Sequence, residues 1–171
     1  MIKEKLRPLN LTTKFFEFDQ NNSGGFFDID DNVTHRVIIE AKSEEEAIEI
    51  FKPMIEDQSY SCECCGDRWS LWTREIELES YKEKGYPASV YTHYKDYEGR
   101  WFKLYGNLPR KSEPTLIKQS WGTEFKGEIY FESIEQYAQF MANAYGFSSP
   151  QDPDVKIHYL NGTIKNIFTC D

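Results

Sequence analysis

The run VKIHYLNGTIKNIF, residues 155–168, constrains the fold more than any other stretch of this chain. Two short segments rich in β-branched and aromatic residues flank Asn161-Gly162, a dipeptide that suits a type I′ turn because both residues tolerate positive φ. The spacing predicts a β-hairpin. A lone hairpin is marginal in water, so further strands or a helix must cover its apolar face.

The rest of the sequence supplies them. TKFFEFD (13–19) and THRVIIEA (34–41) have strand character, with the loop QNNSGG and the run FFDID between them. Ala47, Phe51, Met54 and Ile55 form a helical stripe. Ser43 caps that helix, with Glu46 at the capping-box position, and Pro53 predicts a kink or an end near Lys52. REIELES alternates apolar and polar, and SVYTHYKDYEGRWFKLYG predicts two strands joined at DYEG. GEIYFES leads into a second helix capped by Ser133 and Gln136. Its stripe is Tyr137, Phe140, Met141 and Ala144, with Gly146 as its C-terminal cap. RVIIEAKSEEEAIEIF and EIYFESIEQYAQFM echo each other as strand, serine cap and helix. The sum predicts a single α+β domain over 1–171, a mainly antiparallel sheet with two capped helices packed on one face.

Composition narrows the function classes. With 171 residues, 39% of them hydrophobic and 16% aromatic, the chain can bury a core without disulfide staples. No run approaches the roughly 20 apolar residues of a membrane span, and MIKEKLRPLN lacks the apolar core of a secretion signal. A cytoplasmic protein with reduced thiols and no membrane partner is expected. In that setting N-x-S/T sequons such as those at Asn10, Asn32 and Asn161 carry no meaning. Net charge is −9; residues 1–80 hold nine Lys/Arg against eighteen Asp/Glu, and residues 81–130 nine against six. An acidic body makes duplex nucleic acid a poor partner, because affinity there comes mainly from neutralised phosphates.

SCECCGDRW (61–69) holds three of the four cysteines. Cys62 and Cys65 make a CxxC followed by Gly66, with Cys64 between them. In a zinc knuckle two thiolates three apart grip the metal, and the next glycine lets backbone amides turn toward the sulfurs. The remaining ligands would come from Cys64, Cys170, His35, His93 or His158, with Cys62, Cys65, Cys64 and His35 as the working set. Competing readings are small buried hydrophobes, an incidental turn, and redox chemistry, which lacks its usual βαβ context here. A bound zinc would be structural, since nothing nearby supplies a general base.

Other constellations divide in the same way. Asn21, Asn22, Ser23, Gly24 and Gly25 tolerate left-handed backbone and offer amides for an anion or nucleotide; the bland reading is a hairpin loop. DIDDN (28–32) begins like a calcium loop, but Val33 and Ile39 stand where glycine and glutamate belong, so a polar turn is expected. Residues 81–130 interleave eleven aromatics with cations such as Arg100, Lys103 and Lys118, which suits a core face, a protein interface or stacking on bases. Asp154-x-Lys156 is a faint nuclease-like pair without an acidic partner. There is no GxSxG, HExxH or Walker loop, which leans against catalysis.

FEFDQNNSGGFFDID, HRVIIEA with its acidic helix, and CECCGDRW together resemble a family of small, uncharacterised phage-encoded proteins that share a QNNSGG segment and a CxCCGxRW segment. The resemblance covers roughly residues 14–72. It makes Asn21, Asn22, Gly24, Gly25, Cys62, Cys64, Cys65, Gly66, Arg68 and Trp69 the defining positions, and implies an origin without a mechanism. A small acidic phage protein is expected to act in the host cytoplasm by binding and inhibiting or redirecting a host defence or takeover-target protein. The alternative is sequestration of a nucleotide messenger, with the QNNSGG loop, Arg68 and Trp69 supplying amides, charge and stacking. A zinc-dependent enzyme using zinc-bound water is the less favoured third reading.

Overall fold

A computed structural model describes residues 12–21, 27–58, 61–63, 66–78, 81–82, 115–119, 122–126, 128–129, 131–145 and 151–170. Its centre is a five-stranded sheet. β1 (Lys14–Asp19) pairs antiparallel with β2 (Arg36–Ala41), Phe16 opposite Ile39. Beyond the 3-10 turn and short strands introduced below, β5 (Arg74–Glu75) lies on the free side of β1. β10 (Val155–His158) pairs parallel with β2, and β11 (Ile164–Ile167) closes the far edge. The sheet is therefore mostly antiparallel, with one parallel ladder at its centre. All four residues of β10 are buried, as a strand covered on both faces requires.

Helix α1 (Glu44–Phe51) starts at Ser43, whose hydroxyl accepts from the Glu46 amide at 3.2 Å, while the Glu46 carboxylate accepts from the Lys42 amide at 2.6 Å. Pro53 has no N–H to continue the α ladder, and a 3-10 turn runs over Lys52–Gln58 instead. Helix α2 (Ile134–Tyr145) is capped in the same way, Ser133 accepting from the Gln136 amide at 3.1 Å and Gln136 from the Glu132 amide at 2.8 Å. Gly146, its expected C-terminal cap, lies outside the described residues.

The two helices lie on opposite faces of the sheet, which corrects the single-face arrangement expected from sequence. Successive strand residues point to opposite faces, and the core divides accordingly. Phe16, Phe18, Val37, Ile39 and Ala41 pack with Ala47 and Phe51 of α1. Ile38, Val155, Ile157 and Ile167 pack with Tyr137, Ala138 and Met141 of α2. β2 is apolar at every position from Val37 to Ile39, and a strand that presents apolar groups both ways needs a layer on each side.

The terminal hairpin is present, with a different turn. The Gly162 amide bonds the Tyr159 carbonyl at 2.9 Å, and the Tyr159 amide bonds the Thr163 carbonyl at 2.9 Å. Gly162 has φ +88° and no non-glycine residue among those described has positive φ. A type I′ turn needs both central residues there, so the loop is the three-residue kind, a type I turn over Leu160 and Asn161 with Gly162 as the bulge. The FFDID run forms no strand over its described residues, and the expected strands at 89–106 fall outside the described residues.

Three short two-stranded ribbons complete the secondary structure of the described residues. β3 (Ser61–Cys62) pairs with β4 (Gly66–Asp67), β6 (Tyr81–Lys82) with β9 (Glu128–Ile129), and β7 (Thr115–Gln119) with β8 (Gly122–Lys126).

Candidate functional site

The first element of the site is a clamp built by β1 where it leaves the sheet. The Gln20 amide bonds the His35 carbonyl at 3.0 Å. Its side chain then grips the far end of the QNNSGG loop: Nε2 donates to the Asp28 carbonyl at 2.9 Å, and Oε1 accepts from the Asp28 amide at 2.7 Å. Asn21 turns instead to the cysteine-rich segment. Its amide bonds the Arg68 carbonyl at 2.7 Å and its Nδ2 donates to the Asp67 carbonyl at 3.2 Å. Arg68 answers with Nη1 on the Asn21 carbonyl at 3.2 Å and an ion pair to Asp28 at 3.5 Å. The two segments singled out in the sequence, 20–25 and 61–69, are thus joined side by side. Asn22, Ser23, Gly24 and Gly25, and likewise Cys64 and Cys65, lie outside the described residues.

The cysteine segment forms a hairpin in which Cys62 faces Gly66 across β3 and β4. Gly66 has φ +78°, a backbone that side-chain-bearing residues rarely adopt. His35 sits at the entry to β2, with its ring stacked on Phe27 at 4.3 Å. Burial holds its pKa below the ordinary histidine value, against the pull of Asp154. Cys170 is exposed beyond β11, its amide bonded to the Asn143 side chain at 2.9 Å. That places it at the opposite edge of the sheet from Trp69, which bridges Gln20 next to β1. Among the described residues, no three of His, Cys, Asp and Glu come together as a metal site.

Trp69 is a core residue, 6% exposed. Its ring meets Phe51 edge-on at 5.2 Å, and Phe51 stacks on Phe18 at 4.1 Å. The indole Nε1 donates to Gln58 at 3.3 Å, and Gln58 in turn donates to Asp30 at 2.7 Å. The chain then reverses: the Ser70 hydroxyl accepts from the Trp72 amide at 3.0 Å, and Trp72 is left 91% exposed. Between this rim and the 3-10 turn lies an open groove of about 930 Å³, with Pro53, Ile55 and Trp69 along it and Lys52, Glu56, Asp67 and Arg68 at its sides. Sequence reading placed the aromatic contact at Trp69 and passed over Trp72. The available signal was the Ser70 turn, which sends two consecutive apolar residues, Leu71 and Trp72, out of the core.

A second cluster, on the α2 face, was not foreseen. Glu17 is buried in the middle of β1. It pairs with Arg36, accepts from the Tyr137 hydroxyl, and meets Arg74 at 2.9 Å; Arg36 also reaches Asp19 at 2.6 Å. Asp154 and Lys156 are both engaged structurally. Asp154 accepts from the Thr169 amide at 3.1 Å, and Lys156 donates to the Asp31 carbonyl at 3.3 Å and to Asn166 at 3.2 Å. DIDDN is the polar turn expected, Asp30 accepting from the amides of Asn32 at 2.7 Å and Val33 at 2.8 Å.

His158 is likewise held neutral by burial, even though its Nε2–H donates to the Asn32 carbonyl at 2.6 Å, which favours the charged form. Both buried histidines have folded pKa values below the unfolded value near 6.5. Their contribution to stability is complete above that value and is lost as pH falls below it, because the unfolded chain then binds protons the folded one refuses. The urea midpoint is expected to fall from pH 7.5 to pH 5.5, and less steeply in His158→Gln. Equal slopes in the two proteins would remove His158 from the account.

No helix among the described residues is long and apolar enough to cross a membrane. No curated protein and no solved structure matches this chain. Residues 13–110 match the family described as Domain of unknown function (DUF7296). That span contains β1, β2, α1, the clamp and the groove, while α2, β10 and β11, which complete the sheet, lie outside it. The match takes in more than half of the sequence, and the chain belongs to the DUF7296 family.

Proposed function

We propose that this is a non-enzymatic, phage-encoded binding protein that inhibits or redirects a host protein, with the acidic first half as its contact face. The observation that carries the reading is Trp72, presented at 91% exposure beside an open groove. Tryptophan is mostly buried in folded proteins and is enriched among residues that dominate protein interfaces. The net charge of −9 supports a partner with a basic surface, since complementary charge steers and speeds association. Tagged protein incubated with host lysate at low salt should retain a defined protein without added nucleotide, and should release it as salt rises. If nothing is retained at low salt, the reading loses its support.

The joining of Asn21 to Arg68 favours a second reading, sequestration of a nucleotide messenger beside the QNNSGG loop. A thermal-shift screen against cyclic and linear nucleotides should then show stabilisation, and a flat response removes it. A structural zinc on Cys62 and Cys65 is compatible with either reading. It is supported by the tight hairpin and by Gly66 at φ +78°, and elemental analysis of purified protein should find about one zinc per chain.

A further inference from the structure

We infer that the groove beside Trp72 docks a segment of the partner protein that combines an apolar side chain with lysine or arginine. The inference rests on the binding-protein reading and adds to it the contact surface and the chemistry of the partner.

The shape argues for an inserted side chain. The floor is firm: Trp69 is wedged against Phe51 and Ile55 is 7% exposed. The rim is turned outward, with Leu71 at 41% and Trp72 at 91% exposure, and the Ser70 turn fixes the direction. A space of about 930 Å³ accepts a few side chains, being near the top of the range of roughly 300–1,000 Å³ for sites that enclose small groups. Closing an apolar group between Trp72 and the floor would remove from water the most exposed large apolar side chain among the described residues.

The charges decide what accompanies that group. Both cations at the sides of the groove already have carboxylate partners, Lys52 with Glu49 at 2.8 Å and Arg68 with Asp28 at 3.5 Å. Asp67 at the groove and Asp57 next to Glu56 are exposed and make no ion pair among the described residues. A phosphate-bearing ligand would meet carboxylates there and is disfavoured. A second copy would bring another body of charge −9 against the first and is disfavoured by the same repulsion. A lysine or arginine beside the inserted group finds the exposed Asp67 carboxylate at the groove, on a chain of net charge −9.

A random-peptide library selected on the full chain at low salt, and counter-selected on Trp72→Ala, tests this. Enriched peptides should pair an aliphatic or aromatic residue with lysine or arginine. A synthetic representative should bind Trp72→Ala at least about tenfold more weakly, the scale of a dominant interface residue. Asp67→Asn should weaken binding less and flatten its salt dependence. The urea midpoint of Trp72→Ala should match the parent, because the ring is exposed. Peptides that bind both proteins equally, or that are acidic, overturn the inference. So does a dimer of the parent that Trp72→Ala converts to monomer, or a nucleotide-induced thermal shift that Trp72→Ala abolishes. Lysate retention separates the two ideas. A host protein held equally by parent and Trp72→Ala sinks the groove and leaves the binding-protein reading standing. Trp72-dependent peptides with no host protein retained do the reverse.

Discussion

Glu17→Ala is expected to lower the unfolding free energy by about 3–5 kcal/mol, the usual cost of removing one partner from a buried ion pair. The Glu17 side chain is 1% exposed and that of Arg36 9%, so the arginine left behind has little access to water. Arg74 contributes less than its 2.9 Å contact suggests, because its side chain is 60% exposed and the pair is screened by solvent. The Tyr137 hydroxyl, buried and bonded to Glu17, loses its acceptor in the same substitution and adds to the cost. Urea denaturation measures the effect. The double variant Glu17→Leu with Arg36→Met should recover most of the loss, since two apolar groups need no partners. A single-variant cost below about 1 kcal/mol would show that water already reaches the pair.

The position of this cluster gives it a wider role. Glu17 and Arg36 come from β1 and β2, Arg74 from β5, and Tyr137 from α2. The first three lie inside the family-matched residues 13–110 and the last lies outside. Together with the parallel ladder between β2 and β10, the cluster binds the C-terminal part of the chain to the family-matched part through buried polar contacts. Such contacts are directional, which fixes where α2 sits on its face more tightly than apolar packing alone.

Local signals in the sequence were reliable where one residue has one physical job. Ser43 and Ser133 cap their helices, Pro53 ends the α ladder, and Asp30 makes its turn, because each acts over four residues or fewer. The hairpin at 155–168 was legible for the same reason, although Gly162 alone takes the positive φ and the turn type changes. What was not legible depends on the sheet. Which face each helix covers is decided by the register that sets Phe16 opposite Ile39 and Val155 opposite Arg36, and register joins residues far apart in sequence. Glu17 looked like an ordinary polar position in an alternating strand. Its partners Arg74 and Tyr137 stand 57 and 120 residues away. At the site, the contact between Asn21 and Arg68 joins residues 47 apart in sequence, and the exposed aromatic is Trp72, three positions beyond the Trp69 singled out for stacking.

That three-residue offset leads to the second large effect, at Phe51. The ring is fully buried, stacked on Phe18 at 4.1 Å and set edge-on to Trp69 at 5.2 Å. Phe51→Ala is expected to cost about 3–5 kcal/mol, the sum of lost burial and the cavity left behind. Phe51→Leu should cost clearly less, because it keeps much of the apolar volume. The two variants differ in a further way that a purely structural ring would not predict. Phe51 is the last residue of α1 and supports Trp69 from beneath, so its removal loosens the floor of the groove as well as the core. At temperatures where Phe51→Ala is still folded, the near-ultraviolet circular dichroism of the buried tryptophan should weaken, and quenching by acrylamide should rise beyond what exposed Trp72 already allows. Peptide binding at the groove should weaken in parallel. Full stability loss with unchanged tryptophan signals and unchanged peptide affinity would mean that the floor holds its shape without Phe51, and that the groove owes its form to the 3-10 turn alone.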